Sequence, residues 1–591
     1  MIQSGIVNSR PDHVPEDPAR FWRTPAGVRR VLTGGRHGRV HYRIAAPAAP
    51  SRPPLLCFHL TPNSGRLYAN LLAAMGTDRI AVAPDTPGFG LSDPPAAAPT
   101  VDELAACMGE LAEELGTAHG FERFDVMGFH TGSKIALALA RQRPAQVRRI
   151  VLVSAPVYSE DELRRQRETL AVPPPDIWDA DGKGLRRRWL DHWQWRDPLA
   201  PAWFMQREIA EGLASIEHAP RTYRAVFEVR HADELPRATQ PVLLLCPGDD
   251  LEIPTKRAEP LLRNGRFVPL PGWSHGFLDV RTDEAAALLR EFLDAPDVGA
   301  SAEAGSEASR GEARAPRPPH APKPGPRRGA VRHAFHDGPH GPLYYKIVEP
   351  AAPERVPLLL LHMSPNSGRI YDALLPAMGR DRVVVAPDTP GFGESEAPAT
   401  PPAIEDYATA MAGLVDALGL RQVDVMGYHT GAITAVVTAL ARPDLVRRIV
   451  MVSCPVFTDE ELAGFRADHR AREPREDGSH LVEAWTFLQR FYGPGVPRSV
   501  LARNFTAGLR GGPFAHWGHR AAFAHDLRPD LPKLTQPVLV LNPDDDLAVQ
   551  TPRGLPLLRN ARQIDLPGGH GFLDTMTDAV AVMLREFLDA P

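Results

Sequence analysis

The chain contains the same domain twice. HLTPNSGRLY at residue 59 returns as HMSPNSGRIY at 362, and AVAPDTPGFG at 81 returns as VVAPDTPGFG at 384. LPGWSHGFLD at 270 likewise returns as LPGGHGFLD at 566. The offset between the copies changes by only a few residues, which excludes an array of small repeats. The repeat predicts a first domain over residues 1–294 and a second over 331–591.

The segment between the copies has a different composition. Residues 295–330 read APDVGASAEAGSEASRGEARAPRPPHAPKPGPRRGA, which is built from Ala, Pro, Gly, Ser and charged residues. Such a segment has almost no apolar surface to bury, so it cannot contribute to a core. We expect a disordered, partly extended linker between the two domains.

Within each copy, short apolar runs alternate with helical stretches. PPLLCFHL, DRIAVAPD and QPVLLLCPG read as strands buried on both faces, which is typical of parallel sheets. The alternation predicts an α/β domain with a mostly parallel, doubly wound sheet. It breaks at about residues 157–235 and 456–530, where Trp- and Arg-rich helical segments replace the next strand. We expect each segment to form a helical cap over the carboxyl edge of its sheet.

The order of the motifs carries a resemblance. Each copy has a strand ending in His59 or His362, a DTPGFG loop, a G-x-x-x-G turn, a P-V-L-x-L strand with an acidic loop, and a late HGFLD. In this order they resemble the capped α/β-hydrolases of the epoxide-hydrolase-like or C–C-hydrolase-like group. The resemblance covers each copy apart from the linker and the first thirty or so residues. It implies two tandem α/β-hydrolase domains.

The turn that carries the nucleophile in that group departs from its pattern. FDVMGFHTG at 124 and VDVMGYHTG at 423 place His130 and His429 where the G-x-S-x-G pattern has serine. Histidine is among the non-glycine residues enriched at positive φ, so it can occupy this strained elbow. The resemblance puts the acid at Asp250 and Asp546, with Asp249 and Asp545 as near rivals, and the general base at His275 and His570.

The resemblance also implies an oxyanion hole made by backbone N–H groups. In the first copy these belong to Leu60 and Thr131. In the second copy they belong to Met363 and Thr430. His59 and Asn63, with His362 and Asn366, lie on the loop that borders the hole. A histidine at this place either faces the site or only holds the loop by hydrogen bonds.

Several uses of the elbow histidines are open. In a His-Asp-His site the imidazole acts as nucleophile, or as a base toward water or the α-carbon of a carbonyl compound. Alternatively, the domains are non-catalytic binding or scaffold modules. Two histidines and one aspartate could also bind a divalent metal, although no local H-E-x-x-H spacing supports this. A nucleophilic hydroxyl on Thr131 or Thr430 is the least favoured alternative. The first hypothesis, catalysis by the elbow imidazole, predicts an enzyme acting on a small organic ester, lactone or carbonyl compound.

Composition limits the partners. The net charge of −5 and pI near 6.5 give no basic field for nucleic acid or anionic membrane. The first 22 residues lack the apolar core of a signal peptide, and no stretch has the length of a membrane span. With four cysteines expected to be reduced thiols, we expect a cytoplasmic protein. We expect a small-molecule substrate, no cofactor, no metal bound by the site residues, and an intramolecular pseudo-dimer of the two halves.

Overall fold

The computed structural model describes residues 17–172, 177–296, 329–468, 471–493 and 495–591 of the 591-residue chain. Residues 297–328 of the predicted linker lie outside these ranges, and so do residues 1–16 at the N-terminus. Within the described ranges the chain forms two eight-stranded sheets, one in each half. We call residues 17–296 the first half and residues 329–591 the second half.

The strands of the first half form a mostly parallel sheet in the order β1-β2-β4-β3-β5-β6-β7-β8. The pairs β1–β2 and β2–β4 are antiparallel, whereas all the other neighbouring strands, including β4 and β3, pair parallel. Their bounds are Val28–Gly35, Gly38–Ala45, Leu55–Phe58, Ala81–Pro84, Phe124–Phe129, Val147–Val153, Val242–Pro247 and Gly265–Leu270 for β1 to β8.

The second sheet has the corresponding order β9-β10-β12-β11-β13-β14-β15-β16, again with antiparallel pairing confined to one edge. Its strands β9 to β16 are Val331–Gly338, Gly341–Val348, Leu358–Leu361, Val384–Pro387, Val423–Tyr428, Val446–Val452, Val538–Pro543 and Ala561–Leu566. The predicted α/β class, with a mostly parallel doubly wound sheet in each half, is confirmed.

Helices cover both faces of each sheet. The helices of the first half, α1 to α11, are Ala69–Met75, Val101–His119, Thr131–Gln142, Glu160–Leu170, Lys183–Trp193, Ala202–Ala214, Ala219–Glu228, His231–Glu234, Glu252–Lys256, Phe277–Val280 and Thr282–Leu293. Those of the second half, α12 to α20, are Leu374–Met378, Ile404–Ala417, Thr430–Ala441, Asp459–Asp468, Ser479–Gln489, Arg498–Arg510, Trp517–Ala524, Phe572–Thr575 and Thr577–Leu588. Short 3-10 helices occupy Pro18–Phe21, Gly65–Tyr68, Leu235–Arg237, Glu259–Leu261, Gly368–Tyr371, Gly512–Phe514, Leu531–Lys533 and Thr551–Leu557.

The apolar strands explain where the cores lie. In the first half, α2 and α3 pack on one face of the sheet, and α1 and α11 pack on the other. The second half repeats this arrangement with α13 and α14, and with α12 and α20. Because both faces are covered, strands such as β5 and β7 are buried at every residue. The near-continuous apolar runs in the sequence follow from this burial.

The helices between β6 and β7 contact those between β14 and β15. One apolar cluster contains residues of α5 and α6 together with residues of α16 and α17. The contact is reciprocal: Trp189 Nε1 donates to the Glu476 carbonyl at 2.9 Å, and Trp485 Nε1 donates to the Asp179 carbonyl at 2.7 Å. Equivalent tryptophans on α5 and α16 therefore make equivalent hydrogen bonds across the contact.

Buried ion pairs also join the two halves. Arg30 Nη2 lies 2.5 Å from Glu394 Oε2, and Arg510 pairs with both Glu394 and Glu211. All four side chains are nearly excluded from solvent. Removing one partner would leave a buried charge without its counter-ion, which is costly.

Two general features bear on the cellular setting. All four cysteines are free and buried. Among the described residues, none of the helices combines the length and the apolar character that a membrane crossing requires.

Candidate active site

A strained turn presents the elbow histidine in each half. His130 stands between the end of β5 and the start of α3 with φ 47° and ψ −109°, and His429 has φ 48° and ψ −111°. A Cβ on Gly128 would lie 2.2 Å from the Gly132 carbonyl oxygen, and a Cβ on Gly427 would lie 2.1 Å from that of Gly431. The glycines are needed because the strand and helix backbones pass too close for a side chain. The turn therefore holds the imidazole at the carboxyl edge of the sheet.

Each elbow imidazole contacts the first aspartate of the acidic loop. His130 Nε2 lies 3.2 Å from Asp249 Oδ2, and His429 Nε2 lies 2.9 Å from Asp545 Oδ2. These two aspartates are the residues that the sequence analysis named as rivals for the acid. In the structure these aspartates contact the elbow histidines and not the late histidines.

Each late histidine contacts the second aspartate. His275 Nε2 lies 2.9 Å from Asp250 Oδ1, and His570 Nε2 lies 3.0 Å from Asp546 Oδ1. The ring centroids of the elbow and late histidines are 5.3 Å apart in both halves. Each half thus places two histidine–aspartate pairs side by side.

The two pairs converge on one point. In each half, one ligand-type atom from each of the four side chains lies within 4.8 Å of all the others. We call His130, Asp249, Asp250 and His275 the first cluster, and His429, Asp545, Asp546 and His570 the second cluster. All six residues predicted to be catalytic fall in these clusters, and Asp249 and Asp545 complete them.

The charges of each cluster are coupled. Burial acts to raise the pKa of Asp249 and Asp250, but the histidines more than offset it, so both pKa values lie below the usual range. Burial acts to lower the pKa of His275, but Asp250 and Asp249 raise it to about 9. In the second cluster the pKa values of both aspartates are lowered, and that of His429 is raised by Asp545 and Asp546 against burial. The paired carboxylates therefore favour a cationic partner in each half.

A serine that the sequence analysis missed orients the first aspartate. Ser154 Oγ donates to Asp249 Oδ2 at 2.5 Å, and Ser453 Oγ donates to Asp545 Oδ2 at 2.6 Å. Both serines have positive φ, 53° and 59°, and with the elbow histidines they are the only non-glycine residues in the described ranges that do. Backbone strain is thus concentrated at the two clusters. The repeated strand ends VSAP and VSCP were the available signal.

A tyrosine distinguishes the second cluster. Tyr428 Oη lies 2.8 Å from His570 Nδ1 and 3.3 Å from Asp545 Oδ2, so it links a histidine to an aspartate. Phe129 takes its place in the first half and stacks on His275, with ring centroids 5.9 Å apart. The elbow sequences GYHTG and GFHTG carried this difference.

The histidines on the loop after β3 and β11 are held by backbone. His59 Nδ1 donates to the Leu60 carbonyl and its Nε2 accepts from Thr86 N, both at 2.8 Å. His362 makes the same bonds to Met363 and Thr389, and burial lowers its pKa to about 4. Both ring nitrogens are therefore occupied. Of the two roles left open above, the structure favours holding the loop.

The predicted oxyanion residues lie where their elements bring them to the carboxyl edge of each sheet. Leu60 and Met363 follow the histidines after β3 and β11, and Thr131 and Thr430 are the first residues of α3 and α14. The amides of Asn63 and Asn366 instead bind residues of α6 and α17. Asn63 Nδ2 donates to Glu208, and Asn366 Nδ2 donates to Asn504 Oδ1 at 3.3 Å. These asparagines connect the loop to the helices above it.

A cavity of about 80 Å³ opens beside the first cluster. His130, Thr131 and Asp250 line it together with Tyr158, Tyr223 and Lys134. Lys134 Nζ donates to the Val226 carbonyl at 2.6 Å, and burial lowers its pKa to about 7. The cavity thus combines aromatic walls with a polar end at the cluster.

Comparison with known proteins agrees with the fold. The α/β hydrolase fold family matches residues 53–174 and 356–482, one region in each half. Haloalkane dehalogenase 2 of Mycobacterium bovis is 28% identical over 278 residues, which cover 43% of this chain and 92% of that protein. The 2-(acetamidomethylene)succinate hydrolase of Mesorhizobium japonicum is 25% identical over 250 residues, covering 39% and 88%.

Solved structures match over one half at a time. The enol-lactonase from Burkholderia xenovorans LB400 is 22% identical, and the match covers 44% of this chain and all of that one, with a TM-score of 0.38. The family match in each half and the two mostly parallel sheets confirm the predicted fold class of two α/β-hydrolase-fold domains. The similarity to a protein named as a hydrolase supports a hydrolase in the broad sense. This chain differs from the G-x-S-x-G elbow pattern in carrying His130 and His429 there.

Proposed function

We propose that each half hydrolyses a small organic ester, lactone or related carbonyl compound at its cluster. The observation that carries the proposal is the convergence of two imidazoles and two carboxylates at the elbow in both halves. In the first half, Thr131, one of the residues expected to supply an oxyanion N–H group, lines the same cavity as His130 and Asp250. The relative named as a hydrolase supports the reaction class.

Water, rather than the elbow imidazole, is the proposed nucleophile. His130 Nε2 and His429 Nε2 are directed at carboxylates 3.2 and 2.9 Å away, so these nitrogens are not free to attack a substrate. A water at the cluster gives up a proton to it as the water oxygen attacks the carbonyl carbon. The C=O electron pair moves to oxygen near the N–H groups of Leu60 and Thr131. Collapse breaks the C–O bond, and the alcohol leaves with the proton that the cluster took.

The cavity supports a small substrate for the first half. A space of about 80 Å³ accommodates a group of only a few heavy atoms next to His130. The aromatic rings of Tyr158 and Tyr223 suit an apolar substituent, with the carbonyl at the polar end.

The test is a screen of activated esters and lactones against the intact protein, His130→Ala, His429→Ala and the double variant. We expect each single variant to lose the activity of one half and the double variant to lose about 10²- to 10⁴-fold in kcat/KM. His119→Ala, an exposed histidine at the end of α2, is the matched control and keeps full activity. Full activity in the double variant would refute the proposal.

Mass spectrometry of acid-quenched reactions separates the two nucleophiles. Attack by water leaves the protein mass unchanged, whereas attack by an imidazole adds the acyl group to the peptide containing His130 or His429. An acyl adduct on either peptide would contradict the role of water.

We further propose that the chain works as an intramolecular pseudo-dimer in a reducing compartment. The reciprocal hydrogen bonds of Trp189 and Trp485 support the pseudo-two-fold arrangement, since duplicated domains in one chain often keep the contact of an ancestral dimer. The four free cysteines support the compartment.

A further inference from the structure

We propose that each cluster is a binding site for one divalent first-row transition metal ion, so that the chain binds two. The inference rests on the proposed function only in placing the ion where the carbonyl substrate reacts. It revises the expectation from sequence that the site residues bind no metal.

In both clusters, each histidine turns its Nε2 atom toward an aspartate. In a proton relay of the Ser-His-Asp type, the histidine turns Nδ1 to the acid and Nε2 to the nucleophile. In both clusters Nε2 of the late histidine faces the aspartate instead, and Nε2 of the elbow histidine also faces an aspartate. All four rings thus present the same nitrogen to a shared centre. Such an orientation is expected of ligands to one ion rather than of a relay.

The spacing fits an ion after small movements. First-row divalent ions hold imidazole nitrogens and carboxylate oxygens at about 2.0 to 2.2 Å, which places tetrahedral ligand atoms about 3.4 Å apart. The contacts within the second cluster measure 2.9, 3.0 and 3.8 Å, and no pair of the ligand atoms exceeds 4.8 Å in either cluster. Closing the widest gap requires each side chain to move by about 0.7 Å.

The charge of the clusters also calls for a cation. Each contains two adjacent aspartates, and in the part of the chain that the structure describes their only ion-pair partners are the cluster's own histidines. A divalent ion would neutralise both carboxylates at once. Mixed imidazole and carboxylate ligands favour Zn²⁺, Mn²⁺, Fe²⁺ or a similar ion over Mg²⁺ and Ca²⁺, which prefer all-oxygen sites.

Surrounding residues orient the ligands, as is usual around metal sites. Ser154 and Ser453 donate to the first aspartates, whose other oxygens accept from Leu251 N and Leu547 N at 2.9 Å. Tyr428 occupies the Nδ1 side of His570 and leaves Nε2 to the centre. An ion held by these four atoms would have to take a water as a fifth ligand, and it would lower the pKa of that water toward neutrality, which is what hydrolysis needs.

The test measures bound ions without any substrate. The full chain is stripped with a chelator, and Zn²⁺ and Mn²⁺ are titrated in separate equilibrium dialyses with 1 mM Mg²⁺ present. We expect two ions per chain, one in His130→Ala, one in His429→Ala and none in the double variant. His119→Ala is the matched control and keeps two. Circular dichroism reports whether each variant is folded.

A second pair of variants protects the test against misfolding. Asp250→Asn and Asp546→Asn keep the side-chain shape at partly exposed positions, and each should weaken one ion by about 100-fold or more while the other is unchanged. No binding of either ion to the unmodified chain, or binding that survives in the double histidine variant, would overturn the proposal. Loss of metal binding with retained, histidine-dependent hydrolysis would overturn this inference alone and leave the proposed function standing.

Discussion

The two halves have the same cluster in unlike surroundings. In the first half, Lys134 lies in the cavity wall and His231 bonds to Ser133 at 2.7 Å. The corresponding positions of the second half are Ile433, Leu527 and Ala432, all buried in its apolar core. The four histidines and aspartates, together with the serine behind them, are the part that both halves share. Under the proposed function, the shared residues would carry out the reaction, and the residues that differ would select the substrate of each half.

The contact between the halves should be the most sensitive feature. Trp189→Ala and Trp485→Ala each remove a fully buried ring and its hydrogen bond to the other half, so each should cost about 3 to 5 kcal/mol. Thermal unfolding measures this loss. Because the contact is reciprocal, we expect nearly equal costs. A large cost for one tryptophan and almost none for the other would break the two-fold comparison.

The buried aspartates should control the activity of their own halves. Asp249→Asn and Asp545→Asn remove the negative charge that the elbow histidine and the serine both contact. Each should therefore lower the kcat/KM of its half by about 10²- to 10³-fold. To measure one half alone, Asp249→Asn is assayed in a His429→Ala background and Asp545→Asn in a His130→Ala background. Glu252→Gln is the control, because Glu252 begins α9 just after the acidic loop and pairs with Lys256 at the surface. An Asp249→Asn variant as active as this control would remove Asp249 from the site.

Lys134 should make the stability of the first half depend on pH. Its pKa is about 7 in the folded protein and about 10.4 in the unfolded chain, so the unfolded state binds more protons between these values. Stability should therefore rise as pH rises from 7 to 10, and the full penalty should apply below pH 7. Lys134→Ile, which copies the second half, should add about 2 to 4 kcal/mol below pH 7 and progressively less above it.

Denaturant unfolding at pH 6 and pH 10 measures the effect of Lys134. The reverse change, Ile433→Lys, should destabilise the second half by a similar amount at pH 6. A gain from Lys134→Ile that is the same at both pH values would contradict the assignment of a neutralised lysine.

Replacing Tyr428 should have the smallest effect on stability and on metal affinity. Tyr428→Phe copies the first half and removes one hydrogen bond to His570 and one to Asp545, which is worth about 1 kcal/mol in stability. In a His130→Ala background it should weaken the remaining metal site by about 10-fold. Isothermal titration with Zn²⁺ measures this change. A larger loss than in His429→Ala would show that the tyrosine does more than orient a ligand.

The fold was predictable from sequence because the patterns that indicate it extend over many residues. Near-continuous apolar strands, helices between them and the repeat itself all indicate two doubly wound sheets. His130 and His429 could be placed because Gly128 and Gly132, or their counterparts, enforce a tight turn. These signals need no knowledge of side-chain direction.

The contacts between side chains within the site were harder to predict, because they depend on the direction in which each side chain points. Asp249 and Asp250 are adjacent, and only the loop geometry turns one to the elbow and the other to the late histidine. Ser154 follows an apolar strand like many serines, and its role comes from a positive φ that sequence does not display. The two candidate roles of His59 differ only in which backbone groups its nitrogens meet.

The most direct test of the account is a crystal structure of the full chain grown with Zn²⁺ or Mn²⁺ and measured at the absorption edge of the metal. The account predicts one anomalous peak in each half, about 2.0 to 2.2 Å from both histidine Nε2 atoms and from an oxygen of each aspartate. It also predicts that Ser154 and Ser453 keep their hydrogen bonds to Asp249 and Asp545. Clusters without a peak, with the two imidazoles of a half hydrogen-bonded to each other, would contradict it.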